Sequence, residues 1–252
     1  YVRPGSVDEA LQALASHEGA RALAGGQTLI NVMKARAASP DLLVDLWALD
    51  ELKTIERASD RGLRIGAMVT YAQLLRDATV GETRPILAEV AAQIADVQVR
   101  NRGTIGGNIC SSDPTNHFPP VAAAQGWRMH VRGADGEREL SADEFFLGVY
   151  FTAVGPGELL TGVTIPAGGS DGFASLTLGA DGTCIAAAAA HVRDGRARIA
   201  LGCVGATPVV VSSPEEVRTA DIDPPSDVHA SAEYRRHLAE VCARRALEQA
   251  AG

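Results

Sequence analysis

Two short glycine-rich segments carry the clearest chemical signal in this chain. The first is Ala24-Gly25-Gly26-Gln27-Thr28, and the second is Thr104-Ile105-Gly106-Gly107-Asn108, preceded by Arg100-Asn101-Arg102-Gly103. Adjacent glycines let several main-chain N–H groups converge on one concavity and let an anion approach the backbone closely. Thr28 and Thr104 add hydroxyl donors. A helix expected after Thr28 would turn its N-terminus to the same region. Two such loops facing each other would clamp two linked phosphates, a pyrophosphate. A single Gly-Gly pair is usually a turn, because glycine is the default wherever φ is positive. Neither segment has the G-K-[ST] of a P-loop or the G-x-G-x-x-G of a dinucleotide fold. Arg100 and Arg102 stand directly before the second loop in an acidic protein, which favours a ligand or interface role over a solvated face.

The elements that must position these loops can be read from spacing. Ser6 and Glu9 form an S-x-x-E start signal for a helix whose apolar face is Ala10, Leu11, Leu14 and Ala15. Ala20 to Ala24 predicts a strand that Gly25-Gly26 breaks. A helix over Leu29 to Arg36 and a buried strand over Leu42 to Leu46 follow. Ile55 to Arg57 and Leu63 to Ala67 read as a hairpin around Asp60-Arg61-Gly62. Thr70 caps a short helix, and Pro85 starts another that runs to about Ile94. The stretch from Val99 to Pro120 is rich in Gly, Asn, Ser, Asp and Pro and predicts a long ordered loop or a chain of turns, the kind that carries function. Trp127 to Val131 and Arg138 to Leu140 suggest a second hairpin, Ser141 and Glu144 a further capping box, and Leu159 to Ile165 a strand stopped by Pro166. Gly168-Gly169-Ser170-Asp171-Gly172 is the best linker candidate. Phe173 to Leu178, Cys184 to Val192 and Ala197 to Val204 then predict three antiparallel strands, with turn signals at Asp181-Gly182 and Asp194-Gly195. A helix from about Ala230 to Ala250 closes the chain.

Composition excludes several classes. The 252 residues are 46% hydrophobic, enough apolar surface to fold rather than remain disordered. Lys and Arg number 23 against 31 Asp and Glu, a net charge of −8 that gives the chain no general attraction to nucleic acid or anionic lipid. No apolar run approaches the roughly 20 residues of a membrane helix. No secretory signal is visible, and with Tyr1 in place of a Met the sequence is expected to lack a few leading residues. Cys110, Cys184, Cys203 and Cys242 have no C-x-x-C spacing and no partner His at ligand distance, so no metal ligands are assigned. Scattered free thiols fit buried small hydrophobes in a reducing, cytoplasmic compartment, and cannot hold an iron–sulfur cluster.

The two loops, taken with their flanks, resemble a known family. Ala24 to Arg36, Ala-Gly-Gly-Gln-Thr-Leu-Ile-x-x-Met-Lys-x-Arg, is similar to the first FAD loop of the molybdenum hydroxylase flavoproteins. Val99 to Ile109, Val-Arg-Asn-Arg-Gly-Thr-Ile-Gly-Gly-Asn-Ile, is similar to the second. These are the medium, FAD-binding subunits of the aerobic carbon monoxide dehydrogenase and xanthine dehydrogenase type. The resemblance extends to the opening Tyr1-Val2-Arg3-Pro4, to Glu158 through Pro166, and to Tyr234-Arg235-Arg236-His237-Leu238 with Arg245-Ala246-Leu247. It implies an α+β fold: a two-part PCMH-type FAD domain of the vanillyl-alcohol oxidase superfamily, then a small C-terminal domain with a three-stranded antiparallel sheet and helices. The implied units are 1–53, 54–167 and 168–252. Ala24, Gly25, Gly26, Gln27, Thr28, Thr104, Ile105, Gly106, Gly107 and Asn108 would hold the pyrophosphate and ribityl of a non-covalent FAD, mainly through main-chain N–H groups. Ser111 matches a position that often carries a flavin-contacting hydroxyl. No residue of this chain is expected to be catalytic. The implied partners are a large molybdopterin subunit and a small subunit with two [2Fe–2S] clusters. Electrons would pass from substrate through molybdenum and the clusters to FAD, then to an external acceptor.

Two positions depart from the family pattern. His117 stands where an acidic residue near the flavin is usual, so it either donates to the ligand or is simply a loop histidine. Phe173 to Thr183 lacks the usual Lys or Arg, having Ser175, Leu178, Gly179 and Asp181, which leaves the acceptor open. Two other functions stay in view: a flavin-binding module without turnover, and a stand-alone FAD-dependent reductase, which would need a proton donor beside the flavin.

Overall fold

The computed structural model describes residues 1–59, 61–179 and 182–252. The expected turn residues Asp60 and Asp181 lie outside the described residues. The chain opens with α1 (Val7–Ala15), β1 (Ala20–Leu23), α2 (Leu29–Lys34) and β2 (Leu42–Asp45). Ser6 accepts the Glu9 N–H as expected, but the Glu9 carboxylate reaches back one residue further, to the Gly5 N–H. β1 and β2 pair in parallel, with Ala20 opposite Leu42 and Leu23 opposite Asp45. Parallel strands need a crossover, and the first glycine loop with α2 supplies it. The loop therefore leaves the carboxyl end of β1, where open α/β units bind their ligands.

The second segment comprises β3 (Ile55–Arg57), β4 (Leu63–Gly66), α3 (Tyr71–Leu74), α4 (Ala78–Thr83), α5 (Pro85–Ala92), α6 (Val97–Arg102), α7 (Ile105–Ser111) and α8 (Phe118–Gln125). It continues through β5 (Arg128–Gly133), β6 (Gly136–Ser141), α9 (Ala142–Phe145), β7 (Phe146–Gly148), β8 (Phe151–Thr152) and β9 (Leu159–Ile165). The main sheet is antiparallel in the order β3-β4-β9-β5-β6, so the last strand of the segment lies in its middle. The helices between β4 and β5 cover it, with Phe118, Trp127 and Phe145 fully buried in the shared core. The expectation of a long ordered loop or a chain of turns over Val99–Pro120 is corrected: α6, α7 and the start of α8 occupy most of it. Glycine and asparagine lower helix propensity but do not forbid it. Asp96 and Thr104 cap α6 and α7 by accepting the N–H groups of Val99 and Gly107, and tertiary packing does the rest.

The third segment is β10 (Ser170–Thr177), β11 (Cys184–Arg193), β12 (Arg196–Gly202), β13 (Val209–Val211) and α10 (Ala232–Ala251). Its sheet has four strands, β10-β11-β12-β13, rather than the three expected. The missed strand is the three-residue Val209–Val211, too short for alternation to reveal. The linker is also shorter than expected, because β10 begins at Ser170; Gly168 and Gly169, at φ 79° and 78°, make the turn. β11 explains its own composition. Ala186, Ala188 and Ala190 pack into the core under α10, while Ala187 and Ala189 pack into the core shared with α8. A strand buried on both faces between closely approaching layers must be small on both.

Two buried polar features join the third segment to the rest. Arg84, 3% exposed, donates to Asp171 Oδ2 at 3.0 Å and to the carbonyls of Gly168, at 2.7 Å, and Pro166. Asp171 Oδ1 meets His191 Nδ1 at 2.7 Å. His117 stacks on Phe173 of β10, ring centroids 5.4 Å apart, and its Nε2 is buried without a partner. His117 does not line the cleft described below.

Removing the Arg84 cation would leave Asp171 buried and under-compensated. Arg84→Ala is expected to lower unfolding stability by about 3–5 kcal/mol, measured by urea denaturation at neutral pH. An unchanged midpoint would show that the node contributes nothing. For His117, burial pulls the pKa down to about 4, against a weaker opposing hydrogen bond with the Thr115 backbone. The unfolded chain then takes up a proton below pH ~6.5 while the folded chain does not until about pH 4. Stability is therefore expected to be unaffected by this group above pH 6.5 and to fall by roughly 3 kcal/mol from there to pH 4. His117→Phe should flatten that part of the urea-midpoint profile relative to the parent.

Candidate cofactor cleft

The first loop is shaped by one close contact and one turn. At Gly25 an added Cβ would lie 2.0 Å from the Arg102 carbonyl oxygen, so only glycine fits. Gly26 turns the chain at φ 74°, a conformation that favours glycine. The Gln27 side chain folds back and donates to the Gly25 carbonyl at 3.1 Å, bracing the turn. From Gly25 to Leu29 no main-chain N–H has a partner among the described residues. Five donors in succession at a cleft wall are an anion-binding arrangement.

The second loop is built differently. Thr104 begins α7, and its Oγ1 accepts the Gly107 N–H at 3.0 Å. The Ile105 N–H donates to Val69 O, the Gly106 N–H to Ala67 O, and the Asn108 N–H to Thr104 O. The expectation that this loop works through free main-chain N–H groups is therefore corrected: helix capping and the β4–α3 connection consume them. Ile105, expected among the cofactor-binding residues, does not line the cleft described below, and its side chain is fully buried in the main core. Gly106 is glycine for packing, since a Cβ would sit 2.6 Å from Ala67. Gly107 has ordinary helical backbone; a Cβ there would meet Thr104 Oγ1 at 3.0 Å and Ala24 Cβ at 3.8 Å, in the gap between the loops.

Between the loops lies a cleft of about 600 Å³, within the roughly 300–1,000 Å³ of small-molecule and cofactor sites. Ala24, Gly25, Gly26, Gln27, Thr28, Thr104, Gly106, Gly107, Asn108 and Ser111 all line it. The structure thus brings together every expected site residue except Ile105. The Ser111 hydroxyl donates to Asn108 O at 2.9 Å and accepts from Asn116 Nδ2 at 2.7 Å, so it can only accept from a ligand. Arg100 and Arg102 do not line the cleft. Arg100 donates to the carbonyls of Ile94 and Ala95, at 2.9 and 2.5 Å, and the Arg102 guanidinium stacks 3.7 Å above Trp47.

Other lining residues were not legible from spacing. Gly155-Pro156-Gly157 forms a third wall, and its P-G dipeptide is a turn signal that could have drawn notice. Glu158 holds that wall by accepting the Gly155 N–H at 2.7 Å and a two-pronged contact from Arg138 at 2.7 and 3.2 Å. The Arg138 hydrogen bond holds the Glu158 carboxyl below the usual range. Tyr150 is 65% exposed, with its O–H donating to Asp113 at 3.2 Å. Tyr71 is buried at the cleft; Asn108 Nδ2 donates to its oxygen at 3.0 Å, while Asn108 Oδ1 is buried without a partner. Burial pushes the Tyr71 pKa up to about 12, so the phenol stays protonated.

The arrangement suits holding a ligand rather than transforming one through side-chain chemistry. Among the described residues, Arg21 and Glu158 are the only charged ones at the cleft, and Glu158 is engaged by Arg138. Among the described residues no group of His, Cys, Asp and Glu could hold a metal ion. The four cysteines are free thiols, and burial pushes Cys110 and Cys242 up to about 12. No helix among the described residues is long and apolar enough to cross a membrane.

Comparison with known proteins agrees with this geometry. Residues 1–168 match the family model described as the FAD binding domain in molybdopterin dehydrogenase. Residues 215–250 match the CO dehydrogenase flavoprotein C-terminal domain. The chain is 36% identical to the carbon monoxide dehydrogenase medium chain of Afipia carboxidovorans, covering 99% of this chain and 96% of that one. It is 31% identical, with the same coverage, to the nicotine 6-hydroxylase medium subunit of Paenarthrobacter nicotinovorans. Among solved structures, a chain of reconstituted CO dehydrogenase from Oligotropha carboxidovorans superposes with a TM-score of 0.92 at 35% identity, over 98% of this chain and 96% of that one. The backbone is thus that of a known architecture, and the chain belongs to the FAD-binding medium subunits of the molybdopterin dehydrogenases, a family of oxidoreductases.

Proposed function

We propose that this chain is the flavin relay of a three-part molybdenum hydroxylase, receiving electrons from the [2Fe–2S] clusters of a small partner subunit and delivering them to an external acceptor. A large partner subunit would hold molybdopterin and the organic substrate. The observation that carries this reading is the run of five unpaired N–H groups, Gly25 to Leu29, on a cleft of cofactor size in a chain that matches medium subunits end to end. FAD, when bound, supplies the exchange between two-electron and one-electron chemistry; the protein binds and orients it.

The residues fit that group in two ways. The first loop, with the Thr28 hydroxyl, offers donors to the pyrophosphate. The second loop offers close approach at Gly107 and side-chain polar groups at Thr104, Asn108 and Ser111. The exposed face of Tyr150 is suited to stacking on a planar ring. FAD would be held without a covalent bond, and acid precipitation should release the yellow colour to the supernatant. The PCMH-type label, and the units 1–53, 54–167 and 168–252, are part of the same reading. Three hydrophobic clusters that broadly follow those units support it. Exposed Leu147, Val149, Tyr150 and Phe151 beside the cleft offer an apolar patch for a partner.

Gly107→Val should fill the gap between the loops and reduce bound FAD at least tenfold by absorbance ratio, while the fold survives. A variant that purifies with full flavin would mean the cofactor lies elsewhere. The relay itself is tested with the full chain carrying FAD alone. Aldehydes, purines, N-heterocycles and carbon monoxide should leave the flavin oxidised, whereas dithionite should bleach it. Rapid bleaching by one organic substrate without other subunits would favour the stand-alone reductase.

A further inference from the structure

Arg102 closes α6 and touches the first segment at two separate places. Its main-chain carbonyl oxygen lies 2.0 Å from where a Gly25 Cβ would be, so backbone rests on backbone there. Its guanidinium carbon sits 3.7 Å from the centroid of the Trp47 ring. That is stacking distance; Trp offers a cation the best ring face, and Arg has the planar group that stacks on it. The guanidinium has no hydrogen bond or ion pair among the described residues, and Arg102 does not line the cleft. Both partners of the stack are anchored. Beside Arg102, the Gly103 N–H donates to Val99 O at 2.6 Å and the Gly103 carbonyl accepts the Tyr71 N–H at 3.1 Å. Trp47 follows β2, where Asp45 Oδ1 accepts its N–H at 2.9 Å, and its ring packs on the core of the first segment. Among the described residues no hydrogen bond joins residues 24–36 to residues 97–111. Contact between the two loops is therefore held by packing and by this stack.

We propose that Arg102 is a positioning residue for the cofactor: by stacking on Trp47 it holds the first glycine-rich loop against α6 and so sets the spacing of the two walls that receive the phosphates. This rests on the reading of the cleft as a flavin site. The N–H groups from Gly25 to Leu29 have no partner among the described residues, and α2 after them has no side-chain cap. A loop with so few bonds of its own keeps its place through what it leans on. At Gly25 it leans on the Arg102 carbonyl, and a close approach without a hydrogen bond resists compression but not separation. The Trp47 stack supplies the pull. That pull reaches the loop over a short path, because β1 leads into the loop, β2 leads into Trp47, and the two strands pair with Leu23 opposite Asp45. Lys53 also approaches the Trp47 ring, 5.7 Å from its centroid, but it pairs with Asp50 and does not reach from α6. A cation serving the phosphates directly would stand in the cleft, and Arg102 does not.

The test compares ligands on the full chain stripped of flavin, with the fold of each variant checked by its urea midpoint. Arg102→Met keeps the stem and removes the cation; Trp47→Leu keeps apolar bulk and removes the π face. Each should weaken FAD and ADP alike, by about 3- to 30-fold, because both ligands carry the pyrophosphate. Riboflavin, which carries no phosphate, should bind nearly unchanged. Trp47→Phe retains a weaker π face and should recover part of the loss, which bulk alone would not restore. The double variant Arg102→Met with Trp47→Leu should bind FAD no more weakly than the weaker single variant, since one contact is lost only once. Loss in Arg102→Met with parental affinity in Trp47→Leu would make the guanidinium a direct counter-ion of the phosphates and overturn the proposal. Additive losses in the double variant, equal weakening of riboflavin, or unchanged FAD affinity in both single variants overturn it as well. Parent protein that binds neither FAD nor ADP would instead sink the flavin reading, and the positioning role with it.

Discussion

Backbone lies directly on backbone where the two glycine-rich loops meet. The Arg102 carbonyl occupies the place a Gly25 side chain would take, 2.0 Å from an ideal Cβ. Much else is fixed by approaches of this kind. Gly66 sits against the Leu52 carbonyl at 2.3 Å, Gly106 against Ala67 at 2.6 Å, and Gly162 against the Ile65 carbonyl at 2.7 Å. Each brings two stretches of chain closer than any side chain would permit. Together they set the βαβ crossover of the first segment against α6 and α7 of the second, and the cleft is what remains open between them. A methyl group at one of these points would not merely clash locally; it would move one wall of the site relative to another.

Donor accounting separates the roles of two loops that look alike as sequences. α7 uses its first N–H groups internally, through the Thr104 cap and bonds to Ala67 and Val69. The first loop leads into a short helix without a side-chain cap, and its N–H groups have no partner among the described residues. A buried or half-buried donor without a partner is costly in a protein that does not need it. The asymmetry therefore reads as one loop reserved for an anion and one loop built as a rigid platform. The side chains on that platform, Asn108 and Ser111, then face the cleft from a helix whose position is over-determined.

The third segment is tied to the flavin-type domain by its interior rather than by its linker. β11 contributes to two cores at once through alternating alanines, and Arg84 reaches across to Asp171 and to the linker carbonyls. The joint is apolar on both faces of a strand and charged at one buried point. Such a joint transmits position from one segment to the other.

Local patterns in the sequence determined the elements that depend on local physics. The capping boxes at Ser141 and Thr70, the strand over Leu159–Ile165 and the helix behind Ser6 follow from nearest-neighbour hydrogen bonds and from periodicity. The glycine loops were legible as a pair, and with them nearly all of the candidate site. Tertiary structure decided what depends on contacts distant in the chain. It made helices of Val99–Pro120, added the short strand Val209–Val211, buried Ile105 and His117, and stacked Arg102 on Trp47. It alone placed Tyr71 beside Asn108, 37 residues apart, because a ring can reach that point only through the space left by Gly103. Sequence spacing records which groups are neighbours along the chain; which donors remain free is known only once every other partner has been assigned in space.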